Sequence, residues 1–229
     1  MYMTSQVKIP KIIHYCWFGG KTLPKSAIKC INSWKKFFPD YEIREWNESN
    51  FDVNMIPYTR EAYAAKKYAF VSDFARFWVL HEYGGVYFDT DVEVIRSMDD
   101  IIETGPFMGA ETPQNVAPGL GLATISNHPF YKRYIDYYSD KHFTSSQPTM
   151  CRVVTDWWLE MGWKTDSSVQ TIDGITIYPP DYFCPQAMMG APINITENTR
   201  SIHHFDATWL PKWRKWIVKA KRIICQTGH

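Results

Sequence analysis

The sequence predicts an α/β fold, and three features carry that expectation. Residues 11–47 run apolar, then helical, then alternating, over about 35 residues, the size of a βαβ unit. A third strand-like run, at 86–95, follows a long helical region and a glycine pair. The 229 residues are 45% hydrophobic and 16% aromatic, enough for one sizeable core.

"KIIHYCWFG" (11–19) reads as a buried first strand ending in a glycine turn. In "PKSAIKCINSWKKFFPD" (24–40), Ile28, Ile31, Trp34 and Phe38 recur at helical spacing before the Pro39 stop. "YEIREWN" (41–47) alternates as a strand. The first two strands are therefore expected to be parallel. Residues 59–85, "TREAYAAKKYAFVSDFARFWVLHEYGG", read as one long helical region with Gly84 and Gly85 at its C-cap. "VYFDTDVEVI" (86–95) is the next strand. Beyond it, a strand is expected at 106–111, helices at 127–140 and 151–162, and at 175–185 a strand running into a proline-rich loop.

Composition excludes several classes. No run of about 18 apolar residues is present, so no bilayer-spanning helix is expected. The N-terminus lacks the basic, apolar and small-residue succession of a signal peptide. Five cysteines, odd in number and without metal-type pairing, suit a reducing compartment, so a cytoplasmic protein is expected. Of the 25 Lys/Arg, six follow Pro211 with no acid among them, leaving residues 1–210 with 19 basic and 24 acidic groups, a net −5. No nucleic-acid partner is expected from that balance. The chain divides accordingly into a body, 1–210, and a basic segment, 211–229. Trp213, Trp216, Ile217, Ala220 and Ile224 form one helical stripe there, with Lys212, Lys215, Lys219 and Arg222 on other faces. Such a helix suits an anionic membrane surface or docks its Trp face on the body.

The chemistry concentrates in "EYGGVYFDTDVEVI" (82–95). On an extended strand Tyr87, Asp89 and Asp91 share a face. Two carboxylates held this close repel unless a cation or proton intervenes. Mg²⁺ and similar ions bind through one or two carboxylates plus phosphates, and the carboxyl end of a strand is where open α/β sheets bind ligands. Asp73 and Arg76, three apart on a helix that is apolar nearly all round, are expected to be buried and so to need partners.

"IPKIIHYCWFGG", "YAFVSDFARFWVLHEYGGVYFDTDVE" and "SIHHFDATW", in that order, resemble glycosyltransferase family 32, the DXD sugar transferases that include capsule-synthesis enzymes and are distantly related to the clostridial glucosylating toxins. The resemblance implies a GT-A fold, a Rossmann-like mixed sheet flanked by helices. It implies a nucleotide-sugar donor, UDP ahead of GDP, a divalent metal (Mn²⁺ or Mg²⁺), retention of anomeric configuration, and a saccharide or lipid-linked oligosaccharide acceptor. Surface polysaccharide synthesis is the role it suggests, cytoplasmic or peripheral on the inner face of the membrane. Residue by residue, it makes Asp89 and Asp91 the DXD pair and gives Asp73 and Arg76 the donor sugar's hydroxyls. Trp17 stacks on the nucleobase, and Tyr87 lies beside the donor phosphates. His204 becomes a metal or phosphate contact, with His203 the alternative, and Trp209 a lid on the phosphates. The stretch 147–158 lacks the Gly-Pro element of many relatives, so the resemblance says least about the acceptor.

Two other classes fit parts of the pattern. A haloacid-dehalogenase-type phosphotransferase also ends a strand in D-x-D, but on its first strand and with a later acidic pair, which this sequence lacks. A non-catalytic carbohydrate-binding protein could use the same acids and aromatics.

Overall fold

The computed structural model describes residues 8–186 and 191–206. The expected Trp209 lid and the basic helix of 211–229 lie outside the described residues. Elements follow in the order β1 (Ile12–Cys16), α1 (Lys25–Phe37), β2 (Glu42–Trp46), α2 (Pro57–Ala64), α3 (Tyr68–Tyr83), β3 (Gly85–Tyr87), β4 (Val92–Val94), α4 (Asp99–Glu103), β5 (Phe107–Thr112) and β6 (Asn115–Val116). A 3-10 turn at Pro118–Leu120 leads to β7 (Leu122–Thr124), α5 (Pro129–Tyr138), α6 (Met150–Glu160), β8 (Gln170–Ile172), β9 (Ile175–Tyr178), α7 (Pro180–Phe183) and β10 (Ser201–His203).

The main sheet has the order β2-β1-β3-β7-β5-β9-β8, with β6 paired to β5. β1 pairs in parallel with both β2 and β3, and β5 with β9, whereas β7 and β8 enter antiparallel. The result is the mixed, helix-flanked sheet expected, with the first two strands parallel. Because the chain winds to β2 on one side of β1 and to β3 on the other, the order reverses at β1. A ligand crevice is expected at the carboxyl ends of β1 and β3.

Each face of the sheet buries its own apolar layer. One joins α2, α3, α5 and α6 through Phe74, Phe77, Tyr134 and Trp158. The other joins α1, α4 and α7 through Trp34, Phe88, Ile101 and Phe183. Three expectations change. The long helix of 59–85 is two helices, broken where Lys66 turns left-handed at φ 57°. The strand of 86–95 is β3 and β4 in different sheets, with Asp89 and Asp91 in the turn between them. Ile28 is exposed, because Ala27, Cys30, Ile31 and Trp34 form the buried stripe of α1.

Candidate active site

Gly84 ends α3 at φ 64°, with its N–H on the Leu80 carbonyl, and Gly85 opens β3 at φ 101°. Both conformations favour glycine. The turn is held from β1: His14 Nε2 lies 2.9 Å from the Gly84 carbonyl oxygen, and Trp46 Nε1 donates to His14 Nδ1 at 2.9 Å. The proton therefore sits on Nε2, which donates to Gly84. Burial lowers the His14 pKa to about 4, and a proton on Nδ1 would also face the Trp46 donor.

At the far end of β3 the acids meet the α3 cation. Arg76 Nη2 lies 3.0 Å from Asp89 Oδ1 and 3.1 Å from Asp73 Oδ1, while Nε donates to the Ser72 carbonyl at 3.3 Å. Tyr87 Oη donates to Asp89 Oδ1 at 3.0 Å, and the guanidinium stands 5.0 Å from the Tyr87 ring centroid. The buried arginine that the sequence marked as needing partners thus finds them in Asp73 and in the DXD turn itself. Burial works against the Arg76 charge, but Asp89, Tyr87 and Asp73 hold it well inside the cationic range. Burial lifts the Asp73 pKa to about 6, against Arg76 and with a contribution from Asp89. Burial likewise raises Asp89; Arg76 opposes the rise and the Asp91 charge adds to it. Asp89 still keeps 31% of its side chain exposed, so a ligand can reach it.

Asp91 immediately precedes β4, a strand of the second, smaller sheet. β10 runs antiparallel to β4 with His203 opposite Val92, which brings His203 Nε2 to 3.3 Å from Asp91 Oδ1. Asp91 Oδ2 accepts the Asp206 N–H at 3.0 Å, and its carbonyl accepts the His204 N–H at 2.9 Å. Burial opposes ionisation of Asp91, but His203 and the Asp206 N–H outweigh it and keep the carboxyl below its ordinary range. α1 fixes this strand from behind: Trp34 Nε1 donates to the Val92 carbonyl at 2.8 Å, and Ser33 Oγ accepts the Val94 N–H at 2.9 Å.

The structure therefore brings Asp73, Arg76, Tyr87, Asp89 and Asp91 together. Trp17 directly follows β1 at the same crevice, half-buried, its Nε1 donating to the Lys21 carbonyl at 2.5 Å. His204 points elsewhere, its Nε2 lying 2.8 Å from Glu93 Oε2, which also takes Lys29 at 2.8 Å. Two contributors have no signature in the sequence. Gly119 accepts the Asp89 N–H at 2.9 Å and lies against the Asp89 carboxylate. The Cys16 thiol meets the Tyr87 hydroxyl.

Parts of the chain are similar to known proteins. Residues 24–108, which include α3 and the acidic turn, match the family described as glycosyltransferase sugar-binding region containing DXD motif. Over 134 residues the chain is 26% identical to inositol phosphoceramide mannosyltransferase 3 of Schizosaccharomyces pombe, covering 57% of this chain and 37% of that one. Over 136 residues it is 31% identical to an uncharacterized glycosyltransferase of Acanthamoeba polyphaga mimivirus, covering 54% of this chain and 53% of that one. The match thus spans about a third to a half of these curated relatives. A solved structure named PaToxG glycosyltransferase aligns at 22% identity with a TM-score of 0.45, covering 56% of this chain and 59% of its own. The region that holds the acidic turn is thus similar to the sugar-binding region of DXD-containing glycosyltransferases.

Proposed function

We propose that this chain is a metal-dependent, retaining glycosyltransferase that moves a hexose from a nucleotide sugar to a saccharide acceptor, as in surface polysaccharide synthesis. The reading rests on one observation: Asp73, Arg76, Tyr87 and Asp89 close into a single network at the switch point of the sheet, with Asp91 and His203 alongside. The family resemblance puts UDP first as the nucleotide. Relatives named as mannosyltransferases bring in mannose, and with it GDP, as the second candidate. The acceptor in their name, inositol phosphoceramide, is a lipid, which suits a lipid-linked acceptor here.

The donor set fits a divalent ion. Carboxylates suit Mg²⁺ and Mn²⁺, and an imidazole suits Mn²⁺ once deprotonated. Burial disfavours the His203 charge, but Asp91 outweighs it and lifts the pKa to about 10, so the ion would displace that proton. His203 has a buried Nδ1 with no hydrogen-bond partner and an Nε2 already turned to Asp91. Asp89, Asp91 and His203 would hold the ion. Among the described residues no three His, Cys, Asp or Glu side chains form a ready cage, so phosphate and water would complete the coordination. When bound, the ion supplies Lewis-acid stabilisation to the departing diphosphate.

The protein's own groups do the positioning. Asp73 and Arg76 fix the donor sugar, Arg76 with Nη1, the terminal nitrogen not engaged by Asp73 or Asp89. Tyr87 keeps Asp89 aimed at the crevice, and Trp17 offers a face to the base. Breaking the sugar–phosphate bond on one face, with the leaving phosphate taking the acceptor's proton, gives retention.

Asp91→Asn is the decisive variant. Donor hydrolysis should fall about 100-fold or more and lose its response to added Mn²⁺, with melting temperature nearly unchanged. Undiminished turnover at low metal would overturn the reading. A thermal-shift screen of UDP and GDP with Mn²⁺ assigns the base.

A further inference from the structure

The crevice has a third strand end that the donor does not use. β7 is antiparallel to both β3 and β5, so β5 runs parallel to β3 and ends at the same edge of the sheet. The register fixes the level. Tyr87 is opposite Leu122, and Leu122 is opposite Met108. Asp89 and Glu111 therefore lie two and three residues past a common line, on strands two positions apart. Adjacent strands are about 4.8 Å apart, which sets the two backbones about 10 Å from each other. One short segment joins them: Ala110 pairs with Val116, the Ala117 N–H donates to the Gly109 carbonyl, and Gly119 accepts the Asp89 N–H.

Strand alternation alone would turn Glu111 away from the acids. Met108 and Ala110 pack in the layer of Tyr87, α3 and α6, and Phe107 packs in the other. The side chain after Ala110 should follow Phe107. A bulge changes this. Ala110 lies opposite Val116 but Thr112 lies opposite Asn115, so Glu111 is the extra residue. Bulges re-aim a side chain and gather next to active sites. Here Glu111 Oε2 accepts from Asn115 Nδ2 at 3.4 Å, and Asn115 Oδ1 accepts from Thr155 of α6 at 3.2 Å. Cys151, one turn earlier on the same face of α6, lies within reach of the charges of Asp73, Arg76, Glu111 and Asp89. The carboxylate thus stands on the face that holds Asp73 and Arg76.

Its bonding is thin for its place. Glu111 is half-buried, yet among the described residues the long Asn115 contact is the one hydrogen bond to its carboxylate. A carboxylate offers about four acceptor positions. The sheet order β1-β3-β7-β5 sets Trp17, the acidic turn and Glu111 in line along one edge. With the base at Trp17 and the diphosphate at the acidic turn, Glu111 stands on the far side, where a donor sugar meets its acceptor.

We propose that Glu111 binds the acceptor, accepting hydrogen bonds from hydroxyls of a pyranose ring set between it and the donor sugar. The proton of the reacting hydroxyl still goes to the leaving phosphate; Glu111 orients the ring through hydroxyls that do not react. The assignment rests on the transferase reading.

The test uses the full chain with Mn²⁺, UDP-glucose and GDP-mannose as donors, and methyl α-glucopyranoside and methyl α-mannopyranoside as acceptor probes. Each donor is followed as free hexose, from hydrolysis, and as disaccharide glycoside, from transfer. The unaltered chain should transfer to at least one probe. In Glu111→Gln the ratio of transfer to hydrolysis should fall about tenfold or more, through a raised KM for the glycoside, with the melting temperature unchanged. Glu111→Asp, which keeps the charge one methylene short, should fall between the two. Equal losses of transfer and hydrolysis, or an unchanged ratio, would overturn the assignment, as would hydrolysis that neither glycoside diverts. Hydrolysis of neither donor by the unaltered chain would remove the transferase reading, and this assignment with it.

Discussion

An ideal Cβ on Gly119 would lie 1.9 Å from Asp89 Oδ2 and 3.0 Å from Arg76 Nη1. Neither neighbour can yield easily, since Asp89 is held by Arg76 and Tyr87, and Arg76 is pinned in turn by Asp73 and the Ser72 carbonyl. Gly119→Ala should therefore push the carboxylate out of line without opening a cavity. A displacement of about 1 Å at a reacting centre costs about 100-fold in rate. The expected outcome is a fall of that size in kcat/KM for donor hydrolysis, with far-UV circular dichroism preserved; wild-type kinetics would remove Gly119 from the site. Nothing in the sequence ties Gly119 to an aspartate thirty residues earlier, because the link is a backbone approach across two loops. Asp73 and Arg76 were legible from their spacing on one helix, and the acidic pair from its D-x-D pattern, although that pair lies in the turn between β3 and β4 and not on one strand. The histidines were not: whether 203 or 204 turns to Asp91 depends on β10 pairing with β4, and that register has no local signature.

Elements whose partners are close in sequence could be read nearly to the residue. β1, α1 and β2 match their expected bounds to within a few residues, since each carries its own periodicity and a glycine or proline stop. The strand of 86–95 divided because β4 takes a partner more than 100 residues later, and the local pattern of VYFDTDVEVI does not announce such a change. The helix of 59–85 broke at Lys66, a residue type that gives no warning of a left-handed turn. The junction of α3 and β3 yields a pH prediction. His14 is fully buried, neutral and bonded on both nitrogens, with a pKa of about 4 against an ordinary 6.5. A histidine whose folded pKa is depressed gives stability that is complete above the unfolded pKa and is lost as pH falls from 6.5 toward 4. The loss is on the order of 3 kcal/mol. Urea unfolding at pH 7 and pH 4.5 should show the slope in the native chain and a flatter one in His14→Gln; parallel curves would mean that His14 is not the group responsible.

At the scale of the whole molecule, the sheet separates two apolar layers and leaves one polar edge, where the carboxyl ends of β1 and β3 meet. The charge is distributed unevenly along the chain, with net −5 up to Leu210 and six cations beyond it. An acidic body would be repelled by an anionic lipid surface, so any attraction to one must come from the segment after Pro211. No helix among the described residues is long and apolar enough to cross a membrane. Each Lys or Arg near an anionic surface contributes roughly 1 kcal/mol, and salt screens it. A chain ending at Leu210 should pellet far less with phosphatidylserine-containing vesicles than the full chain, and the difference should vanish at about 1 M salt, where the screening length is about 3 Å. Neutral vesicles should bind both weakly. Equal pelleting of the two chains at low salt would remove the basic segment as a membrane anchor.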